Sequence, residues 1–320
     1  MRRRRHVDVA ARRVIYAGLA GNVLVAATKF AAAAITGSAA MLSEAVHSAV
    51  DTANELLLLY GARRAARPPD ARHPFGYGRE VYFWNFIVSL LILVIGAGVS
   101  IVEGVRHIVA AEPVENPIVS YAVLGLAAVF EGGSWWVAWR EFRRRRGSRG
   151  VLETVQETKD PASMMVFFED SAALIGIAIA LAGTALAQAL DEPRWDGAAS
   201  IAIGVLLTLV AGFLARETKQ LLIGEGAHRG LLDSVGRIAG EEKGVAHFNG
   251  LLTIHLAPRQ VVVALSVDFE AALRVPEVNA AVASLEARIR EAHPEVVMVM
   301  VKPQSPDAFR AARERWLAPR

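Results

Sequence analysis

The chain has 320 residues, 53% of them hydrophobic, and a formal net charge of +3. That apolar share, with a positive mean hydropathy, is too high for an ordinary soluble domain of this size and points to a membrane protein. There is no cysteine, which excludes disulfides, thiolate metal sites and cysteine nucleophiles, so any metal must be held by nitrogen and oxygen.

Residues 1–13 carry six arginines, Arg2 to Arg5 with Arg12 and Arg13. No small-residue cleavage site follows the first apolar run, so MRRRRH reads as a retained basic terminus rather than a signal peptide. Against the ~20 residues needed to cross a bilayer, residues 14–223 offer six candidate spans. They are Val14 to Ile35, Ser38 to Tyr60, Val81 to Val109, Pro117 to Phe142, Pro161 to Leu190 and Trp195 to Ile223. The last four exceed a minimal span, which predicts tilt or extension into the cytoplasm.

Basic residues orient the spans, because Lys and Arg in short loops collect on the cytoplasmic side. The connection between the second and third spans has Arg63, Arg64, Arg67, Arg72 and Arg79, and Arg140 to Lys159 adds seven more basic residues. On the other side TGS and AAEPVENP have none, and LDEPRWD has only Arg194. Both termini are therefore expected in the cytoplasm, with the chain multi-pass in the inner cell membrane. The same rule, together with contact to anionic lipid, accounts for the arginine runs at 2–5 and 143–146 without a nucleic-acid partner.

After Gly226 the pattern changes. HRGLLDSVGRIAGEE reads as an amphipathic helix, LLTIHLA and VVVALSVDFE as strands, EVNAAVASLEARIREAH as a helix opened by Pro276, and EVVMVMV as a buried strand. In the second strand Val261, Val263, Leu265, Val267 and Phe269 alternate with their neighbours. The expected architecture is an all-α six-helix transmembrane bundle over 14–223, then a small cytoplasmic α+β domain over 224–305 with ferredoxin-like α-β-β-α-β order. Residues 306–320 read as a tail or a short surface helix.

Within the second candidate span, Glu44, His47, Asp51 and Glu55 are spaced by three, four and four residues. At about 100° per residue they fall within roughly 80° of one another and form a polar stripe. Ionisable groups inside spans are costly and by default mark a pathway for ions or protons.

Six spans, His47-x-x-x-Asp51 on the second, the turn RHPFGYGRE at 72–80, FFEDSAALIG on the fifth and the small α+β domain together resemble the cation diffusion facilitator family. AMLSEAVHSAVD, HPFGYGREVYFW, GAGVSI and FEDSAALIGI resemble most the subgroup that includes the animal mitochondrial zinc transporter. The resemblance covers nearly the whole chain. It implies a homodimeric secondary transporter in the lipid bilayer that exchanges a divalent transition metal, commonly zinc, for protons. It implies no enzyme activity and no cofactor.

His47 and Asp51, one turn apart, can ligate a metal from one helix face, since imidazole nitrogen and carboxylate oxygen both suit Zn²⁺ at about 2.0–2.2 Å. The family pattern adds Asp170 from the fifth span and puts its fourth ligand on Val166, which cannot ligate. Glu131, in the fourth span and flanked by Gly132 and Gly133 that would permit close helix approach, leads the candidates to replace it, followed by a bound water and then by Glu44 or Glu169. The alternative for such a carboxylate is a structural partner, with Asn22, Lys29 and Asn85 available. Asp70 and His73 match a loop metal site whose further ligand falls on Tyr77, so either a weak site or a turn is expected there. His247 matches one ligand of the family's cytoplasmic site, but the others fall on Ser266, Met300 and Lys302. That domain is expected to dimerise rather than to sense metal.

One imidazole with two or three carboxylates is oxygen-rich, which keeps Mn²⁺ and Fe²⁺ beside Zn²⁺. An intramembrane hydrolase with Asp51 and Asp170 as metal ligands is the competing class, but no HExxH-type pair or nucleophile motif accompanies them.

Overall fold

A computed structural model describes residues 2–146 and 161–318; the basic connection at 147–160 lies outside them. The chain forms two compact units, one holding the long helices up to Lys219 and the other holding Arg67–Arg79 with Gln220 onward.

In the first unit, α1 (Arg2–Thr36) starts well before Val14, because residues 2–13 are mostly arginine, alanine and valine with no glycine or proline to stop a helix. Gly37, at φ 65°, makes the tight turn into α2 (Ala39–Ala65). Ser38 caps α2 by accepting from Met41 N at 3.0 Å. The third apolar element is α3 (Glu80–Leu91), a π-helical stretch (Ile92–Ala97) and α4 (Gly98–Ala110) in series. Then come α5 (Pro117–Arg146), α6 (Pro161–Ala189) and α7 (Arg194–Ile223). Small residues let α4 and α7 touch through their backbones: a Cβ on Gly104 would lie 2.6 Å from the Gly197 carbonyl oxygen, and one on Gly197 would lie 2.8 Å from that of Gly104.

Among the described residues five elements are long and apolar enough to cross a membrane: Leu19–Thr36, Glu80–Ala110, Pro117–Arg144, Met164–Ala189 and Arg194–Ile223. The second of the six expected spans, α2, is not among them. It packs against α1, α3, α4 and α6, so its polar face meets protein rather than lipid and high apolarity is not required of it.

In the second unit, α8 (Arg229–Gly240), β1 (Val245–Ala257), β2 (Gln260–Phe269), α9 (Val275–Ala292), β3 (Val296–Pro303) and α10 (Pro306–Leu317) follow in order. The sheet order is β1-β2-β3, with β1 antiparallel and β3 parallel to β2. The alternating residues of β2, Val261, Val263, Leu265 and Val267, face a core shared with Leu231 and Val235 of α8 and Leu285 and Ile289 of α9. The architecture is thus mostly helical, with a small three-stranded domain at the C-terminal end. The segment after 306 is a helix capped by Ser305.

Candidate intramembrane metal site

The polar stripe of α2 lies in the interior of the bundle. Glu44 and His47 are buried, and Asp51 is partly so. His47 Nε2 is 3.6 Å from Asp51 Oδ2. Both ring nitrogens of His47 and Asp51 Oδ1 are buried without a hydrogen-bond partner. Buried polar atoms are normally satisfied, so three orphans on one helix face mark a place where a ligand would be stabilised.

Beside them opens a cavity of about 340 Å³ whose lining includes Asp51, Glu55, Glu131, Glu169 and Asp170. Carboxylates from α2, α5 and α6 therefore surround one space. Glu169 and Asp170 both reach it although their directions differ by about 100° on the helix. Asp170 Oδ2 accepts from Ser134 Oγ at 2.9 Å, Glu169 Oε1 from Asn54 Nδ2 at 2.8 Å, and Glu55 Oε1 from Asn22 Nδ2 at 2.9 Å. Val166 also lines the cavity. Among the described residues no three His, Asp or Glu side chains converge closely enough to hold a metal as they stand. Asp51, Glu131 and Asp170 share the cavity, and His47 adjoins it through Asp51.

Two expectations about neighbours change. The close helix approach foreseen at Gly132 and Gly133 does not occur, since a Cβ on either would meet nothing within 4 Å. That stretch of α5 also carries the exposed Val129 and Phe130. The close approach falls instead at Gly176 of α6, where a Cβ would run into Glu44 Oε1. Of the foreseen partners, Asn22 bonds Glu55, whereas Asn85 Nδ2 donates to its own helix at Val81 O. Lys29 is fully buried and donates to Glu44 Oε2 at 3.2 Å and to Ser48 Oγ at 2.7 Å, with Glu131 Oε1 at 3.7 Å.

Sequence reasoning passed over Asp196. It is buried at the start of α7, where Oδ1 accepts from Ser38 Oγ at 2.7 Å and Oδ2 from Ala40 N at 3.1 Å, closing the N-terminus of α2. A lone acid in the first turn of an apolar helix was the available signal, since such a group needs buried donors.

Asp70 and His73 lie in the Arg67–Arg79 loop. Asp70 Oδ1 accepts from the backbone nitrogens of Arg72 and His73 at 2.9 and 2.7 Å, and Oδ2 accepts from the Tyr77 hydroxyl at 2.6 Å. Both oxygens are thus engaged in a turn. The Tyr77 hydrogen bond, then that from His73 N, holds the Asp70 carboxyl below its ordinary range. In the small domain, exposed His247 stands opposite Asp268. Ser266 is engaged by Asn249 and Gln304, and Met300 pairs with Ala264.

Apolar helices long enough to cross a membrane, with carboxylates lining a cavity among them and a buried imidazole beside it, are features of a membrane protein with a polar pathway. The chain belongs to the cation efflux family: residues 15–223 match its cation efflux transmembrane domain. It is 30% identical over 260 residues to the human mitochondrial proton-coupled zinc antiporter SLC30A9, covering 81% of this chain and 46% of the relative. It is 34% identical over 219 residues to metal tolerance protein C4 of Arabidopsis thaliana, covering 68% and 48%. A shorter match, 33% over 85 residues and 27% of each chain, is to magnetosome protein MamM of Paramagnetospirillum magneticum. The chain spans about half the length of the first two relatives.

Proposed function

We propose that this protein exports a divalent transition-metal cation, zinc first, from the cytoplasm in exchange for protons. The observation that carries the reading is the internal cavity lined by Asp51, Glu131 and Asp170, with His47 Nε2 3.6 Å from Asp51 at its edge. On this reading α2 is the sixth span, both termini are cytoplasmic, the transmembrane domain covers 14–223, and the ferredoxin-like domain at 224–305 joins two copies into a homodimer. Side-chain rotation brings His47, Asp51 and Asp170 onto one ion, with Glu131 as the fourth ligand in place of Val166. The relatives named as a proton-coupled zinc antiporter and a metal tolerance protein support the class of cargo.

Ligand protonation supplies the coupling. Imidazole binds metal only when neutral, and a carboxylate binds it only when ionised, so protons and metal compete for the same atoms. A carrier that opens alternately to the two faces then trades one for the other. Asp70 and His73 are assigned to the loop turn rather than to the cargo.

Mn²⁺ or Fe²⁺ as cargo is the second reading, favoured by a cavity wall that carries five carboxylates and no imidazole. Purified protein in liposomes, assayed metal by metal under an imposed pH gradient with Asp51→Ala as the blank, tests both. The proposal requires saturable zinc flux that follows the proton gradient and vanishes in the blank. Flux indifferent to the gradient removes the coupling, and preference for Mn²⁺ or Fe²⁺ selects the second reading.

A further inference from the structure

Lys29 is the buried cation beside the carboxylate cavity, and its bonds are unequal. Lysine is almost never fully buried unless paired, and here two partners hold it firmly. Glu44 Oε2 and Ser48 Oγ sit at 3.2 and 2.7 Å, both within hydrogen-bond reach. Glu131 Oε1, at 3.7 Å, is close enough to feel the charge but is not hydrogen-bonded. The firm partner is itself locked in place. Glu44 is fully buried, and its other oxygen occupies the space left by the missing side chain of Gly176. Ser48 and Glu131 also line the cavity, so the ammonium group lies between an anchored carboxylate and one that borders the metal space.

Resting on the reading of this cavity as the metal site, we propose that Lys29 is a built-in competitor for the transported cation. Anchored by Glu44 and Ser48, it neutralises Glu131 while the cavity is without metal and yields that carboxylate when a dication enters. A fixed positive charge this close opposes the bound dication in a low-dielectric interior, which keeps affinity low enough for release on the far side. Glu44 sets the strength of the competition by sharing the lysine. Lys29 is thus a positioning residue for Glu131, and Glu44 acts through it.

The two single substitutions have opposite expected signs, and the double substitution, which removes both charges of the pair, separates competition for Glu131 from the field of the pair itself. Zinc titration calorimetry at fixed pH on the full chain in detergent reads them out. Lys29→Gln frees Glu131 and removes the opposing charge, so zinc binds about tenfold more tightly or better. In liposomes its transport KM falls and its turnover falls with it. Glu44→Gln leaves Lys29 to Glu131 and Ser48 alone, so zinc binds more weakly, by about threefold or more. The neutral double variant, Lys29→Gln with Glu44→Gln, avoids an uncompensated buried charge should the first single variant fail to fold, and it too binds more tightly than wild type. Equal-sign or negligible shifts in the single variants, or a double variant no tighter than wild type, overturn the proposal while Asp51→Ala still abolishes binding. Wild-type binding in Asp51→Ala instead removes the cavity as the metal site, a separate failure.

Discussion

Replacing Gly176 by alanine sets helix propensity against packing. In an isolated helix the change gains about 1 kcal/mol. Here the added Cβ lands on Glu44 Oε1. The carboxylate has little room to retreat, because Oε2 is bonded to Lys29 at 3.2 Å and both side chains are fully buried. Overpacking of this kind costs about 1–3 kcal/mol, so a surviving pair leaves a net loss of about 0–2 kcal/mol. If the carboxylate is pushed off Lys29, breaking a buried pair costs about 3–5 kcal/mol, for a net loss of about 2–4 kcal/mol. The second outcome is expected. Unfolding of the detergent-solubilised variant measures it, and Gly176→Ala in a Glu44→Ala background supplies the control, where the obstructing carboxylate is gone and the change should be neutral or stabilising by up to about 1 kcal/mol. Stabilisation by Gly176→Ala in the otherwise native chain would show that Glu44 is not held where the geometry puts it.

Glu131→Gln should weaken zinc binding strongly in calorimetry, and Val166→His, which adds an imidazole to the cavity wall, should restore it most in that background. An unchanged affinity in Glu131→Gln makes Glu131 a proton relay instead of a ligand. Asp196→Ala strands Ser38 Oγ and Ala40 N and should cost about 1–3 kcal/mol, with faster amide exchange at the first turn of α2; protection equal to wild type argues against the cap. Tyr77→Phe should raise the Asp70 carboxyl back toward its ordinary range, followed by the NMR titration of its carboxyl carbon. Because Asp70 is depressed in the folded loop, its contribution is complete above the unfolded carboxylate value and is lost as pH falls through the lower folded one. No shift in Tyr77→Phe would contradict the hydrogen bond as the cause.

Periodicity carried most of the architecture. The β2 alternation from Val261 to Val267 marks the face that meets α8 and α9, and the spacing of Glu44, His47, Asp51 and Glu55 fixes a common face of α2 whatever surrounds it. Apolarity alone was a weaker guide. It marks a candidate span from Val14 and says nothing of the helix that carries it, which runs back to Arg2. Most of the acidic side chains that line the cavity were legible in the sequence as a set, but their arrangement was not. Asp51, Glu131 and Asp170 come from three helices onto one cavity, as lipid-phase carboxylates must when they need a polar interior. The pairing of Lys29 with Glu44, the hollow at Gly176 and the cap from Asp196 depend on how neighbouring helices are rotated about their axes. No local pattern encodes that rotation. The same holds for Gly132 and Gly133: a small residue permits close approach but does not say which helix arrives.

On the proposed reading, the acidic cavity lined by α1, α2, α5 and α6 holds the transported metal. Anomalous diffraction at the zinc edge, from crystals of the full chain grown with zinc and from matching Asp51→Ala crystals, locates the ion directly. The expected result is one peak in the cavity of the native chain, about 2.0–2.2 Å from carboxylate oxygens of Asp51 and Asp170, and none there in Asp51→Ala. A cavity without anomalous signal, with zinc found only beside Asp70 and His73 or on the small domain at His247, would contradict it.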